Sequence, residues 1–174
     1  MALELNGTTG VSLVQDGVIT DANLPAGSVL QVPTQALTYT QFTTTSTSFA
    51  DWTGMSVTIT PLSTSSRILI FAHCNGIFSG TAGNNPLLRI LRDSTVVGVM
   101  SDYASYNGSN GNNGCGTVSL TLEDSPNTTS AITYKIQYRS DNGGLVFFNV
   151  NDASSAQLLA ESTNSTLTLM EIAG

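Results

Sequence analysis

Charged side chains are scarce in this sequence. Lys, Arg, Asp and Glu together make up 10% of the 174 residues, against roughly 25% in typical globular domains. Only five residues are basic, and the formal net charge is −7. A nucleic-acid-binding surface needs clustered Lys and Arg to displace counterions from phosphates, and an anionic membrane surface attracts the same cations. The sequence therefore predicts no binding to nucleic acid and no association with anionic membranes.

Long apolar runs are missing as well. No stretch approaches the 18 or more consecutive apolar residues that a membrane-spanning helix requires. The first residues also lack the basic region and the apolar region of a secretory signal. We therefore expect no membrane insertion.

Histidine and cysteine are too few for most catalytic or metal centres. His73 is the only histidine, and Cys74 and Cys115 fit no metal-binding spacing. The carboxylates are spread singly except at Glu123-Asp124, and no calcium-loop motif is present. We predict no catalytic residue, no metal site and no cofactor, and we expect that the protein is not an enzyme. Cys74 is interpreted as a small buried hydrophobe, with a disulfide to Cys115 as the alternative.

Hydroxyl and amide residues take the place of the missing charges. The sequence has 24 Thr and 21 Ser, joined by 14 Asn and 16 Gly. Thr favours strands, whereas Ser, Asn and Gly favour turns. Strand and turn signals alternate at the short spacing that is typical of an all-β sandwich or barrel. The predicted strands span 37–45, 55–60, 67–75, 87–92, 95–100, 116–123, 131–139, 145–150 and 165–172, with a short bridge at 48–52.

The run from Arg67 to Gly76 is the longest stretch of strong β-formers. Alternation places Leu69, Phe71 and His73 on one face of this strand and four small or apolar residues on the other. A solvated face would be polar, so we expect both faces to be covered, one of them by another subunit. The last strand is also apolar. Together the two strands predict an interface between copies of the chain, made of Leu69, Phe71, His73, Leu167 and Leu169.

Residues 1–32 differ from the rest of the sequence. Their apolar residues come in short pairs separated by turn signals such as Asn6-Gly7 and Asp16-Gly17. Such segments are too short to bury their own side chains. We predict a docking or trimerising arm that adds strands to a partner, with an arm that folds back on its own domain as the alternative. The predicted docking residues are Leu3, Leu5, Val11, Leu13, Val18 and Ile19.

One irregular loop, residues 102–114, is long enough to be functional. It combines flat amphipathic Tyr side chains with neutral amide donors and acceptors. That mixture is suited to a sugar or a protein receptor, and the alternative is a solvated loop that binds nothing. The possible receptor residues are Tyr103, Tyr106, Asn107, Asn110 and Asn112.

Several segments resemble the small jelly-roll modules of bacteriophage structural proteins. They are the Thr/Ser string 42–49, the segments 53–61, 63–70 and 124–135, and the ending 168–173. The opening segments 5–11 and 27–31 are similar to leaders of the same proteins, many of them from marine and cyanobacterial phages. Such modules are similar to tumour-necrosis-factor and C1q heads, which form trimers.

The resemblance implies an antiparallel jelly-roll β-sandwich over residues 33–174, with an extended N-terminal arm over residues 1–32. It also implies a homotrimer on the virion surface, in which the interface predicted above is the trimer interface. Two functions compete. The first is a capsid decoration or cement protein that binds the major capsid protein, or another virion component, through the arm. The second is the receptor-binding head of a tail fibre that recognises host surface glycans. The absence of a shaft favours the first.

Overall fold

The structure, a computed structural model, describes residues 24–38, 40–101, 116–149 and 164–174. These residues contain eleven β-strands, all of them paired in antiparallel fashion. No helix occurs within these ranges. The strands are β1 (Val29–Gln31), β2 (Thr34–Thr38), β3 (Phe42–Thr44), β4 (Ala50–Ile59), β5 (Arg67–Ser79), β6 (Pro86–Arg92), β7 (Thr95–Ser101), β8 (Gly116–Asp124), β9 (Ile132–Ser140), β10 (Val146–Phe148) and β11 (Asn164–Ile172).

The first sheet is centred on β5 and β11, which pair along seven residues from Thr166↔His73 to Ile172↔Arg67. The other edge of β5 pairs with β8. Near Ser79 the short β10 pairs with β5 on the same edge as β11, since Asn75 N donates to Ser165 Oγ and Asn75 O accepts from Asn149 N. The free edge of β11 is shared by β1 and β2 in succession. Strand β3 extends the sheet beyond β10.

The second sheet has the order β4-β9-β6-β7. In both sheets a strand from the first half of the sequence pairs with one from the second half, and the pairs are nested from the chain ends toward its middle. The pairs are β2 with β11, β4 with β9, β5 with β8, and β6 with β7. This nested pairing, distributed over two packed antiparallel sheets, is the topology of a jelly roll. The all-β jelly-roll sandwich expected from the sequence is confirmed.

The core lies between the sheets because inward positions of the long strands are apolar. In β5 the inward residues Ile68, Ile70 and Cys74 are fully buried, and β9 contributes Tyr134 and Ile136 in the same way. At one end of the sandwich the ring of Trp52 packs edge-on against that of Phe148, with centroids 5.5 Å apart. Burial of this kind stabilises a fold by roughly 25 cal/mol per Å² of apolar surface.

Several predicted strands differ from the observed ones at turns. The predicted bridge and the strand after it are one strand, β4, whose register shifts between Asp51 and Ser56. Gly54 lies in this shift with a φ of +85°, a conformation that a β-bulge accommodates best with glycine. The predicted strand 37–45 is instead two strands, β2 and β3. The predicted hairpin across Asp93-Ser94 is confirmed by the β6–β7 pairing.

A polar network joins the two sheets at the end of β8. Asp124 accepts hydrogen bonds from Arg92 Nη1 at 2.9 and 2.7 Å and from the Tyr134 hydroxyl at 2.7 Å. Asp124 belongs to the first sheet, whereas Arg92 and Tyr134 belong to the second. Burial, together with the hydrogen bond to the Asp124 carboxylate, raises the pKa of Tyr134, so its hydroxyl stays a donor. This network fixes the relative position of the two sheets.

Replacing Asp124 tests that inference. Asp124→Ala leaves the Arg92 guanidinium and the Tyr134 hydroxyl without their acceptor, and we expect the free energy of unfolding to fall by about 2–3 kcal/mol. The neighbouring Glu123 provides a matched control, because its ion pair with Arg67 is exposed. Glu123→Ala should cost less than about 1 kcal/mol. Equal losses in urea unfolding of the two variants would contradict the assignment.

Candidate assembly surface

The outward face of β5 carries side chains that are not part of the core between the sheets. Leu69 and Phe71 are half-buried and His73 is exposed, while the residues between them are buried. The alternation predicted from the sequence is therefore observed. Alternation also assigns Arg67 and Asn75 to this face, so its two apolar residues, Leu69 and Phe71, lie next to each other between polar ones. Adjacent large apolar side chains are unusual on a solvated sheet face.

Neighbouring strands extend this surface. Met170 of β11 pairs directly with Leu69, and Ile172 pairs with Arg67 on one side and with Val29 of β1 on the other. Met170 and Ile172 are half-buried, and Val29 is 50% exposed. Side chains directly opposite in an antiparallel pair lie within contact distance of one another. We call the resulting surface the outer apolar stripe; it consists of Val29, Leu69, Phe71, Met170 and Ile172.

Polar side chains border the stripe along β8. The outward positions of this strand are Thr117, Ser119, Thr121 and Glu123, all of them exposed. A hydrogen bond of 2.8 Å joins His73 Nδ1 and Ser119 Oγ at one end. At the other end Arg67 Nη1 lies 2.9 Å from Glu123 Oε2. The apolar part of the face is thus limited to β1, β11 and β5, and a polar rim surrounds it on the β8 side. Apolar centres with polar rims are typical of protein interfaces.

Two predicted interface residues are not on this surface. Leu167 and Leu169 are fully buried and belong to the core between the sheets. The predicted trimer interface is wrong at these two positions, because β11 is apolar on both faces and its inward residues are 167 and 169. The outward residues Met170 and Ile172 take their place. Leu69, Phe71 and His73 do lie on the outer face, as expected.

The remaining predicted sites lie outside the described residues. This holds for the docking residues Leu3, Leu5, Val11, Leu13, Val18 and Ile19, and for the receptor-loop residues Tyr103, Tyr106, Asn107, Asn110 and Asn112. The structure does describe the end of the predicted arm. There β1 is hydrogen-bonded to β11 as part of the first sheet.

Metal ligands and the state of the Cys74 thiol can be read directly from the described residues. Among them no group of three or more His, Cys, Asp or Glu side chains is placed to hold a metal ion, and no helix in these ranges is long and apolar enough to cross a membrane. Cys74 is buried in the core, as the sequence predicted, and its thiol is free. Burial raises its pKa to about 12, which leaves almost no thiolate at neutral pH.

One buried carboxylate was not anticipated from the sequence. Glu171 is fully buried and accepts hydrogen bonds from the Leu62 backbone N–H at 2.7 Å and from Gln31 Nε2 at 2.5 Å. It thereby ties β1 and the segment after β4 to the last strand. Its neighbours in the sequence, Met170 and Ile172, are the two outward residues of the stripe, so this contact also fixes the end of the stripe.

Comparison with solved structures finds similar chains in virus particles. The VP2 subviral particle of infectious bursal disease virus is 9% identical, with a TM-score of 0.46, and the match covers 99% of this chain and 45% of that one. The structure of the Gt strain of the same virus is 13% identical, with a TM-score of 0.43, and the match covers 100% and 42%. The chain thus spans less than half the length of these chains. No protein-family model and no curated protein matches the sequence.

The burial of Cys74 predicts its reactivity. At pH 8 in native buffer, alkylation of Cys74 by iodoacetamide should be at least about a hundredfold slower than in urea. The measurement is peptide mapping by mass spectrometry, which reports on Cys74 separately from Cys115. Equal labelling rates in the two conditions would show that the core strand β5 opens readily, contrary to the burial described here.

Proposed function

We propose that the chain is a structural protein of a phage virion. It forms a homotrimer through the outer apolar stripe and is attached to the capsid through residues 1–32, where it decorates or reinforces the particle. The role is one of assembly and uses no catalytic group. The observation that carries the proposal is the stripe itself, because these apolar side chains lie on the outside of a sandwich whose core is already complete.

The physical reason for association is the hydrophobic effect. Covering Leu69, Phe71, Met170, Ile172 and Val29 with other copies removes apolar surface from water, at roughly 25 cal/mol per Å². Homo-oligomers are usually closed and symmetric, so one surface used by every copy suffices to build the assembly. The choice of three copies follows from the resemblance of the sequence to trimeric virion modules, and the stripe is compatible with it.

The charge pattern of the face is compatible with copies packing around an axis. Within the described part of the first sheet, the outward charged residues Arg67 and Glu123 already neutralise one another at the border of the stripe. The apolar centre contains neither a carboxylate nor a lysine. Copies can therefore approach through the stripe without burying an unpaired charge, which would cost several kcal/mol.

Residues 1–32 supply the attachment in this proposal. The arm enters the sandwich at β1, beside the end of β11, where Gly27 N donates to Ala173 O at 2.8 Å. The arm therefore joins the domain next to the stripe, at Val29. The paired apolar residues of 1–19 are suited to strand addition on a capsid protein.

The composition of residues 102–114 supports a second candidate function. A tail-fibre head that binds host glycans would use the Tyr and Asn side chains of this segment. The number of copies per virion distinguishes the two roles: hundreds of copies indicate a capsid protein, whereas a handful indicates a tail. Quantitative mass spectrometry of purified particles, scaled to the major capsid protein, gives that number.

A charge in the stripe should dissociate the trimer. Phe71→Glu places a carboxylate in the apolar contact, and we expect the dissociation constant of the trimer to rise at least about a hundredfold. Multi-angle light scattering should then report the chain mass of 18.1 kDa in place of three times that mass. Thr58→Glu, an equal charge on an exposed position of the second sheet, should leave the trimer intact. A wild-type monomer at micromolar concentration would contradict the proposal.

Removing the arm should separate attachment from folding. The deletion should span residues 1–23, because β1 beyond it pairs with β11. We expect the shortened protein to keep the circular dichroism spectrum and melting temperature of the intact chain, and to be lost from virions assembled in its presence. A shortened protein found in particles at the same copy number as the intact one would exclude attachment through the arm.

A further inference from the structure

The outer face of the second sheet concentrates the positive charge of the protein. Three of the five basic residues, Arg89, Lys135 and Arg139, lie there on the adjacent strands β6 and β9. The whole chain has a net charge of −7, so this cluster is exceptional on the molecule.

Arg89 is the cation that lacks a carboxylate partner among the described residues. Arg67, Arg92, Lys135 and Arg139 each lie within 4.0 Å of a carboxylate oxygen. Arg89 instead donates from Nε and Nη2 to the neutral Gln137 Oε1, at 2.8 and 2.6 Å. Its guanidinium lies 3.9 Å from the centroid of the Phe49 ring. No described acceptor bonds to Nη1, so this edge of the guanidinium is available to a ligand.

A chain of contacts holds Arg89 in place. Gln137 Nε2 donates to Asp51 Oδ1 at 2.6 Å, and Asp51 Oδ2 accepts from Lys135 Nζ at 2.8 Å. Asp51 therefore orients the Gln137 amide so that its oxygen faces Arg89. The hydrogen bond from Lys135, followed by that from Gln137, lowers the pKa of Asp51, so the carboxylate keeps this role at neutral pH. A guanidinium fixed in this way loses little conformational freedom when it binds an anion.

Apolar residues lie beside Arg89, on its own strand and on the neighbouring strand β7. Val99 of the edge strand β7 pairs directly with Arg89 and is 66% exposed. Val96 on the same strand is 43% exposed, and Leu87 is half-buried two residues before Arg89. On the other side the Arg139 guanidinium lies 5.1 Å from the Phe49 ring. A preorganised arginine and an aromatic ring among exposed aliphatic residues form the composition of a protein-interface hot spot.

We propose that this surface, made of Phe49, Leu87, Arg89, Val99 and Arg139, binds a partner protein through an Asp or Glu side chain flanked by apolar residues. The carboxylate accepts from Arg89 Nη1, and the flanking residues cover Val99 and Leu87. A glycan fits less well, because the Phe49 ring on which a sugar would stack is already covered by Arg89. This contact is separate from the stripe and from residues 1–32, so it goes beyond the role proposed above.

Two short peptides test the proposal on the intact protein. The probes are the N-acetylated tripeptide amides Leu-Glu-Val and Leu-Gln-Val, titrated while the NMR signals of Arg89 Nε–Hε and the Val99 methyl groups are recorded. We expect saturable shifts with the Glu peptide, and binding about tenfold weaker with the Gln peptide. Arg89→Gln should weaken binding of the Glu peptide to the same extent. Arg67→Gln, which removes a cation from the first sheet, should leave it unchanged.

A second variant and three alternative outcomes complete the test. If Arg89→Gln does not fold, Arg89→Lys replaces it; the lysine keeps the charge but loses the planar fork, and binding should weaken about threefold. Equal binding of the Glu and Gln peptides overturns the proposal, as does the absence of shifts with either. Free glucuronate that binds more tightly than the Glu peptide would assign the site to an acidic glycan instead. A change of oligomeric state in the Arg89 variants would assign it to a second copy.

Discussion

Strand β5 holds the first sheet together through backbone hydrogen bonds along both of its edges. It is the longest of the described strands, and it pairs with β8 on one side and with β11 and β10 on the other. Its inward residues form the centre of the core, and its outward residues form the centre of the outer apolar stripe. A change of register by one residue would exchange these two sets. The stability of the fold and the exposure of the assembly surface therefore depend on the same backbone pairing of β5 with its neighbouring strands.

Much of the fold follows from alternation in the sequence. The strands β5, β8 and β9, and the β6–β7 hairpin, were predictable because apolar residues recur with period two and turn residues bound them. The single strand β4 was not predictable from the two segments that the sequence indicated. Glycine in a sequence usually marks the end of a strand, and only the structure shows that Gly54 lies in a β-bulge with a positive φ. The separation of β2 from β3 was not predictable either. These two strands pair with different partners, β11 and β10, and both partners lie far away in the sequence.

The assembly surface was predictable only in part. For β5 alternation alone predicted that Leu69, Phe71 and His73 share one face, and this face is the outer one. The last strand has apolar residues on both faces, so its periodicity alone does not tell whether Leu167 or Met170 points outward; the register with β5 decides it. The contact with Arg89 of β6 comes from Phe49, the residue just before β4. No local pattern in the sequence indicates it, because it arises only when β4, β9 and β6 lie side by side.

The pairing of β1 with β11 also has a kinetic meaning. The hydrogen bond between Gln31 and Glu171 joins residues that are 140 positions apart, and the β2–β11 ladder beside it closes a loop of similar size. Closing such loops lowers the entropy of the chain before the stabilising contacts form. Folds dominated by contacts between residues far apart in the sequence therefore form slowly. Until β11 is in place, β5 and the strands at the other end of the chain have exposed backbone edges and apolar faces. The interval between synthesis and closure is thus when this protein is most prone to pair with the wrong chain.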